Sequence, residues 1–489
     1  MDIVLENARL RAENEKLRAE NKRLRDEMAS LREPLRIALQ GIEQLQQRVQ
    51  ELEAQVQQDS HNSNWPSSRD QGRTKSLRER SGKKPGGQPG HAGQTLKMVS
   101  EPEQVIVHRL AQCVQCGHNL AEADSVAEER RQVFDLPPMQ RVVTEHRVEE
   151  VVCPRCQMRN RASFPAEVSK AVQYGPQVKA LSIYLHQHHL LPFARSTQVL
   201  DDLLGTSPSV GTIALWLQEA AELVAEPVEQ IKAEVRQSDV VHCDETGLYI
   251  AGERVWLHVA ATPQLTCYEA HPKRGRQGTD ALGILPDFAG TAVHDNWAAY
   301  ASYACRHALC NVHHLRELTS LHEQFGQAWA GEFKLFLLAV KAQVDQAKAQ
   351  GATTLPPDQR AQIDRHYQQL VDQALAQTAP PPDGWPKGKR GRAKKSKARN
   401  LAERFDQQRS KILVFVDDFA VPFDNNLVER DIRMVKVQQK ISGCFRSWSG
   451  AQAACRLRSY LSTMLKQGHN AFALLTALFA GQPLLLHAE

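Results

Sequence analysis

With 489 residues the chain is too long for one ordinary core, so three or more modules are expected, and an apolar fraction of 42% is enough to pack them. No apolar run approaches the ~18 residues of a membrane span, and the N-terminus is charged from Asp2 onward, so a membrane protein and a secreted one are both disfavoured and a cytoplasmic chain is expected. The net charge of +5 is modest but uneven: residues 69–84 and 387–399 are strongly basic, a pattern of solvated linkers or of segments that neutralise DNA phosphates.

Residues 1–58 carry a heptad register. Ile3, Leu10, Leu17, Leu24, Leu31, Leu45 and Leu52 fall at d, and Asn7, Asn14, Asn21, Met28, Leu35, Ile42, Val49 and Val56 fall at a. Glu6, Glu13, Glu20 and Glu27 occupy g, while Arg11, Arg18, Arg25 and Arg32 occupy e. Two parallel strands set each Glu against an Arg, whereas antiparallel strands would oppose like charges. The pattern predicts a parallel coiled coil, with the buried asparagines favouring two strands in register. Pro34 predicts a break between two shorter helices. The alternative is one amphipathic helix folded onto its own chain.

Residues 59–100 are rich in Gly, Pro, Ser and Lys and read as a flexible basic linker. Residues 101–168 hold Cys113-Val-Gln-Cys116 and Cys153-Pro-Arg-Cys156. Four thiolates in two such pairs suit one structural Zn²⁺ in a zinc ribbon, with unrelated buried thiols as the alternative. The intervening stretches Arg131–Pro138 and Arg141–Val152 read as β-strands. Residues 169–235 read as helical. One helix ends at Gly205 and another starts after Ser207 or Ser209, which is either a helix-turn-helix that reads DNA or ordinary bundle packing.

From residue 236 the pattern turns to strands. Val240-Val-His-Cys ends at Asp244, two more short strands follow, then a short helix, then Thr291-Ala-Val-His ending at Asp295. Three strands, a helix and a fourth strand is the order of an RNase H-like α/β core, in which strands one and four are neighbours. Residues 236–315 are the first part of that core, 316–400 a helical insertion with a basic segment, and 401–489 the C-terminal part. There Glu429 shares a helix face with Arg433 and Lys436. Two aspartates on strands and a glutamate on a helix can hold Mg²⁺ beside a DNA phosphate, and two ions about 4 Å apart suit phosphoryl transfer.

Taken in order, several motifs resemble one family. They are the N-terminal zipper, Arg78-Glu-Arg-Ser-Gly-Lys-Lys-Pro-Gly-Gly-Gln-Pro-Gly-His91, Arg131-Gln-Val-Phe-Asp-Leu-Pro-Pro138, the paired Cys-x-x-Cys, Asp244-Glu-Thr246, Asp295-Asn-Trp-Ala-Ala-Tyr300 and Asp424-Asn-Asn-Leu-Val-Glu-Arg-Asp-Ile-Arg433. Nearly the whole chain is similar to bacterial insertion-sequence transposases of family sixty-six, the TnpC-type DDE transposases. The resemblance implies metal-dependent cleavage and strand transfer at element ends, with Asp244, Asp295 and Glu429 holding two Mg²⁺ or Mn²⁺ ions. It implies a multidomain α+β chain whose partners are terminal inverted repeats and target DNA, a second copy through the zipper, and accessory transposition proteins. Arg430, Arg433, Lys436, Lys83 and Lys84 are the expected DNA contacts. Cys310-Asn-Val-His313 resembles a Cys-x-x-His of related transposases and is read as packing beside the site rather than as metal ligands. A rival reading is a transposase-derived DNA-binding regulator without catalysis.

Overall fold

The N-terminal heptads form one helix, α1 (Asp2–Val56). The computed structural model describes residues 2–59, 61–63, 95–137, 139–378 and 395–485; Lys83, Lys84 and most of the second basic run lie outside them. The break predicted at Pro34 does not occur, and α1 passes through it. Proline's locked φ near −65° is itself helical, so the residue costs an amide donor and local crowding without turning the chain out of the helix. The d leucines Leu10, Leu17 and Leu24 are about half exposed, so the apolar stripe is not folded onto the chain's own core. At the other end of α1, Ala54 is buried, and Gln50 donates to the Gln324 carbonyl at 3.2 Å.

The chain divides into two compact units, one of Met1–Arg73, Tyr174–Phe193 and Val210–Glu489, the other of Thr74–Gln173 and Ala194–Ser209. In the second unit β1 (Glu150–Val152) pairs antiparallel with β2 (Arg159–Arg161). The longer strands predicted at Arg131–Pro138 and Arg141–Val152 reduce to β1 alone. Val133, Val142 and Val143 are almost fully exposed, and apolar alternation without a surface to bury one face does not sustain a sheet.

The helices expected over residues 169–235 are present. They are α2 (Pro176–Ile183) with a π-helical turn at Tyr184–His188, α3 (Phe193–Leu204), α4 (Val210–Leu223) and α5 (Ala225–Gln237). Gly205 ends α3 at φ 58°, a left-handed conformation that favours glycine.

A five-stranded sheet follows, made of β3 (Val240–Ile250), β4 (Glu253–Ala261), β5 (Thr266–His271), β6 (Thr291–His294) and β7 (Arg306–Leu309). Its order is β5-β4-β3-β6-β7, with α6 (Arg276–Leu282) between β5 and β6 in the chain. The first three strands form an antiparallel meander; β6 lies parallel to β3, and β7 parallel to β6. Helices α7 (Asn311–Phe325), α8 (Ala328–Ala349), α9 (Pro357–Gln377) and α10 (Lys397–Gln407) come next, then the short α11 (Arg409–Ile412) and α12 (Val414–Asp417). The chain then returns to the sheet with α13 (Asn426–Ser442), α14 (Trp448–Lys466) and α15 (Ala471–Phe479).

Period-two alternation gives the sheet two apolar faces. Leu248, Val255, Leu257, Val259 and Tyr268 pack with Val428, Ile432 and Val435 of α13 and with Ala451 and Cys455 of α14. Val241, Cys243, Ala260 and Cys267 belong to a second core with Ile183, Ile213, Trp216 and Ile231 from α2, α4 and α5. The open edge of β5 is closed by α14. Ser459 Oγ accepts the Tyr268 amide at 2.9 Å, and Thr463 Oγ1 accepts the Thr266 amide at 3.0 Å, so two serially spaced hydroxyls stand in for a missing strand. The inserted helices have their own core, in which Phe333 stacks on Phe405 at 4.3 Å and Tyr367 donates to the Phe405 carbonyl at 2.8 Å. Lys395 and Arg399, the described end of the second basic run, both pair with Glu403.

Candidate metal centre

Asp244 lies within β3 rather than at its end. β4 pairs with β3 from His242 to Ile250 and carries the strand onward, whereas β6 pairs with it only from Val240 to His242. Continuing that parallel register by two residues sets Asp244 level with Asp295, which follows the last residue of β6. Neighbouring strands stand about 4.8 Å apart, so two aspartates distant in sequence occupy adjacent positions where β6 stops. Glu429 lies in the first turn of α13, the helix that packs on β3 and β4.

Burial holds the Asp244 carboxyl well above the usual carboxylate range. The charges of Glu245, Asp295 and Glu429 push the same way, and the Glu245 amide, which donates to Asp244 Oδ1 at 2.8 Å, pulls it back. Hard oxygen donors of this kind fit Mg²⁺ or Mn²⁺. The oxygens of Asp244, Asp295 and Glu429 do not form one group within 4.8 Å. Two ions about 4 Å apart do not require it, since the outer carboxylates then serve different ions.

Around the carboxylates stand residues to which sequence reading gave no role. Asn425 is buried just before α13; its amide nitrogen Nδ2 donates to the Cys243 carbonyl at 2.9 Å, its Oδ1 meets His242 Nδ1 at 2.8 Å, and its backbone N–H donates to Cys310 Sγ at 3.3 Å. Glu245 is buried, paired with Arg274 at 2.8 Å, and accepts the Tyr300 hydroxyl at 2.6 Å. The Arg274 guanidinium lies 4.8 Å from the Trp256 ring and 3.9 Å from that of Trp297. Trp297 in turn donates its amide to Asp295 Oδ1 at 2.9 Å, steadying that carboxylate. The hydrogen-bond partners of Glu245 and Asn425 lie 29 to 183 residues from them in the chain, a separation that no local motif records.

Cys310 and His313 meet Glu429: one ligand atom from each lies within 4.8 Å of the others. Cys310 is buried at the N-terminal end of α7, and burial pushes its thiol up to about 12, opposed by the amides of His313 and Asn425. Burial also lowers the His313 imidazole, against the charge of Glu429.

Of the basic residues on α13, Arg430, Arg433 and Lys440 are exposed. Lys436 is partly buried; its ammonium donates to the Gly247 carbonyl and to Gln439 Oε1, which anchors α13 to β3.

The cysteine pairs of the smaller unit form two separate knuckles. The Cys113 amide donates to the His118 carbonyl at 2.8 Å and the Gly117 amide to the Cys113 carbonyl at 2.9 Å; the Cys153 amide donates to the Met158 carbonyl at 2.8 Å and the Gln157 amide to the Cys153 carbonyl at 2.8 Å. Gly117 and Gln157 take the matching left-handed turns at φ 73° and 60°. Amides of Cys116 and Gln115 hold the Cys113 thiol below its usual range, and those of Cys156 and Arg155 do the same for Cys153, an environment suited to thiolate ligands. The four sulfurs do not gather into one group within 4.8 Å.

Among the described residues no helix is long and apolar enough to cross a membrane. No curated protein matches the chain. Residues 5–97 match a family of unknown function. Residues 111–157, which span both cysteine pairs, match the zinc-finger binding domain of transposase IS66. Residues 171–453, more than half of the chain and inclusive of the sheet, Asp244, Asp295 and Glu429, match the Transposase IS66 family, and to that family of transposases the chain belongs.

Proposed function

We propose that the chain is a catalytically competent DDE transposase that cleaves DNA at insertion-sequence ends and transfers the freed strand to target DNA. The observation that carries this reading is the register of β3 and β6, which brings Asp244 level with Asp295 at the point where α13 delivers Glu429. The sheet order β5-β4-β3-β6-β7, with its antiparallel meander and parallel fourth and fifth strands, supports an RNase H-like core. Asp244, Asp295 and Glu429 would hold two Mg²⁺ or Mn²⁺ ions, which when bound supply charge to a phosphate undergoing in-line displacement. The chain's own part is positioning. Asn425 fixes the start of α13 against β3, Trp297 orients Asp295, and the exposed Arg430 and Arg433 offer charge to the DNA backbone. Lys436 serves that face mainly as an anchor, and Lys83 and Lys84 would add phosphate contacts from the linker.

The seven segments named from sequence serve as the working domain division. The knuckles at Cys113–Cys116 and Cys153–Cys156 would close on one structural Zn²⁺, and residues 169–235 would contribute DNA contacts. Exposed a and d positions on α1, with Glu at g and Arg at e, support a parallel pair of chains that brings two DNA ends together, and accessory proteins would join that assembly.

The test is cleavage and strand transfer on end-bearing DNA with Mg²⁺ or Mn²⁺. The wild-type chain is expected to cleave, and Asp244→Asn to reduce cleavage by at least about a hundredfold while retaining DNA binding. Unchanged cleavage by Asp244→Asn removes Asp244 from the site. A wild-type chain that binds ends and cleaves none, with its accessory proteins supplied, is a regulator derived from a transposase.

A further inference from the structure

Cys310, His313 and Glu429 form the one group of three or more prospective metal ligands, within 4.8 Å of one another, among the described residues. Their donors differ in kind from the oxygens of Asp244 and Asp295. A sulfur, an imidazole nitrogen and a carboxylate oxygen make a poor site for Mg²⁺ and a good one for Zn²⁺, which accepts all three. The scaffold is rigid: Cys310 and His313 stand one helical turn apart where α7 begins, Glu429 stands in the first turn of α13, and Asn425 joins the two starts through its backbone N–H to Cys310 Sγ. An amide donor on the sulfur is the outer contact a thiolate ligand needs. A second observation points to a missing ligand. His313 Nδ1 is shielded from solvent and has no hydrogen-bond partner among the described residues, although buried ring nitrogens are ordinarily satisfied.

We propose that Cys310, His313 and Glu429 bind one Zn²⁺ through three protein ligands with a fourth position open, a site separate from the zinc knuckles that shares the Glu429 carboxylate with the hard-metal positions at Asp244 and Asp295. Sequence reading assigned Cys310 and His313 to packing; the convergence of Glu429 upon them gives them a shared chemical task. The proposal does not rest on DNA cleavage, since zinc occupancy is read directly.

The experiment measures zinc per chain in the full-length protein after equilibration with Zn²⁺ and dialysis against metal-free buffer. His313→Gln and Cys310→Ser are each expected to lose one equivalent relative to wild type. Joint replacement of Cys113, Cys116, Cys153 and Cys156 by Ser is expected to leave this equivalent in place. In that knuckle-free chain Co²⁺ is expected to give a thiolate-to-cobalt charge-transfer absorption that disappears on adding Cys310→Ser. Should Cys310→Ser fail to fold, His313→Gln with native circular dichroism decides the count. Zinc content unchanged by His313→Gln, or no charge-transfer absorption from the knuckle-free chain, overturns the proposal.

Discussion

Asn425 ties the start of α13 to two other stretches of chain with one short side chain and one backbone amide. Its amide group bonds to His242 and to the Cys243 carbonyl, and its backbone N–H to Cys310 Sγ, all of them buried. Asn425→Ala leaves the Cys243 carbonyl and the His242 ring unsatisfied, which costs about 1–3 kcal/mol. We expect a drop of that size in unfolding free energy by denaturant titration, with a further loss of cleavage as α13 loosens; unaltered stability would mean that the bonds carry no weight. His258 is a residue whose acid response can be isolated. It is buried, its Nε2 meets the Lys273 carbonyl at 3.1 Å, and burial lowers its pKa to about 4. The unfolded chain, with a His near 6.5, takes up the proton first as pH falls, so this stability is complete above about pH 6.5 and drains away toward pH 4. The loss is at most about 3 kcal/mol, and His258→Phe should flatten that part of the stability-against-pH curve. An identical slope in the variant would contradict the assignment. Gly278 shows how close the packing is here, since an added Cβ would collide with the Lys273 carbonyl and the His258 ring.

At the scale of elements, what sequence reveals follows from how local each cause is. The helix α1 was legible because its heptad pattern repeats within one segment. The meander, α6 and β6 were legible because apolar runs and turn signals alternate in order, and that order made β3 and β6 neighbours. The strands at 131–149 were over-read, because alternation near Val133 and Val142 resembles a buried face when no face is buried. Asp244, Asp295 and Glu429 can be singled out as candidate ligands by their setting in the sequence, while Glu245 with Arg274 and Tyr300, and Asn425 with His242, depend on contacts made only after folding. The sealing of β5 by α14 is of the same long-range kind. Ser459→Ala should strand the Tyr268 amide and lower stability by about 1–3 kcal/mol, measured as a shift in denaturant midpoint at constant slope. No shift would mean that water replaces the hydroxyl. For α1, Leu17→Lys with Leu24→Lys places charge in the d seam and should convert a two-chain species to single chains in sedimentation equilibrium. A wild-type protein that sediments as one chain at micromolar concentration would argue against pairing through this helix.

Across the whole molecule, one junction stands out. Cys310 and Asn425 touch although 115 positions separate them, the Asn311 amide donates to the Phe423 carbonyl at 3.0 Å, and Asn311 Nδ2 donates to the Ile412 carbonyl at 3.0 Å. The helices between them form a detour whose entrance and exit coincide. Lengthening such a closed excursion adds only about 0.6 kcal/mol of closure entropy per doubling, because its ends are already clasped. The detour can therefore grow, shrink or be replaced in evolution while the sheet and its carboxylates stay where they are, and an engineer could graft a foreign domain at that clasp.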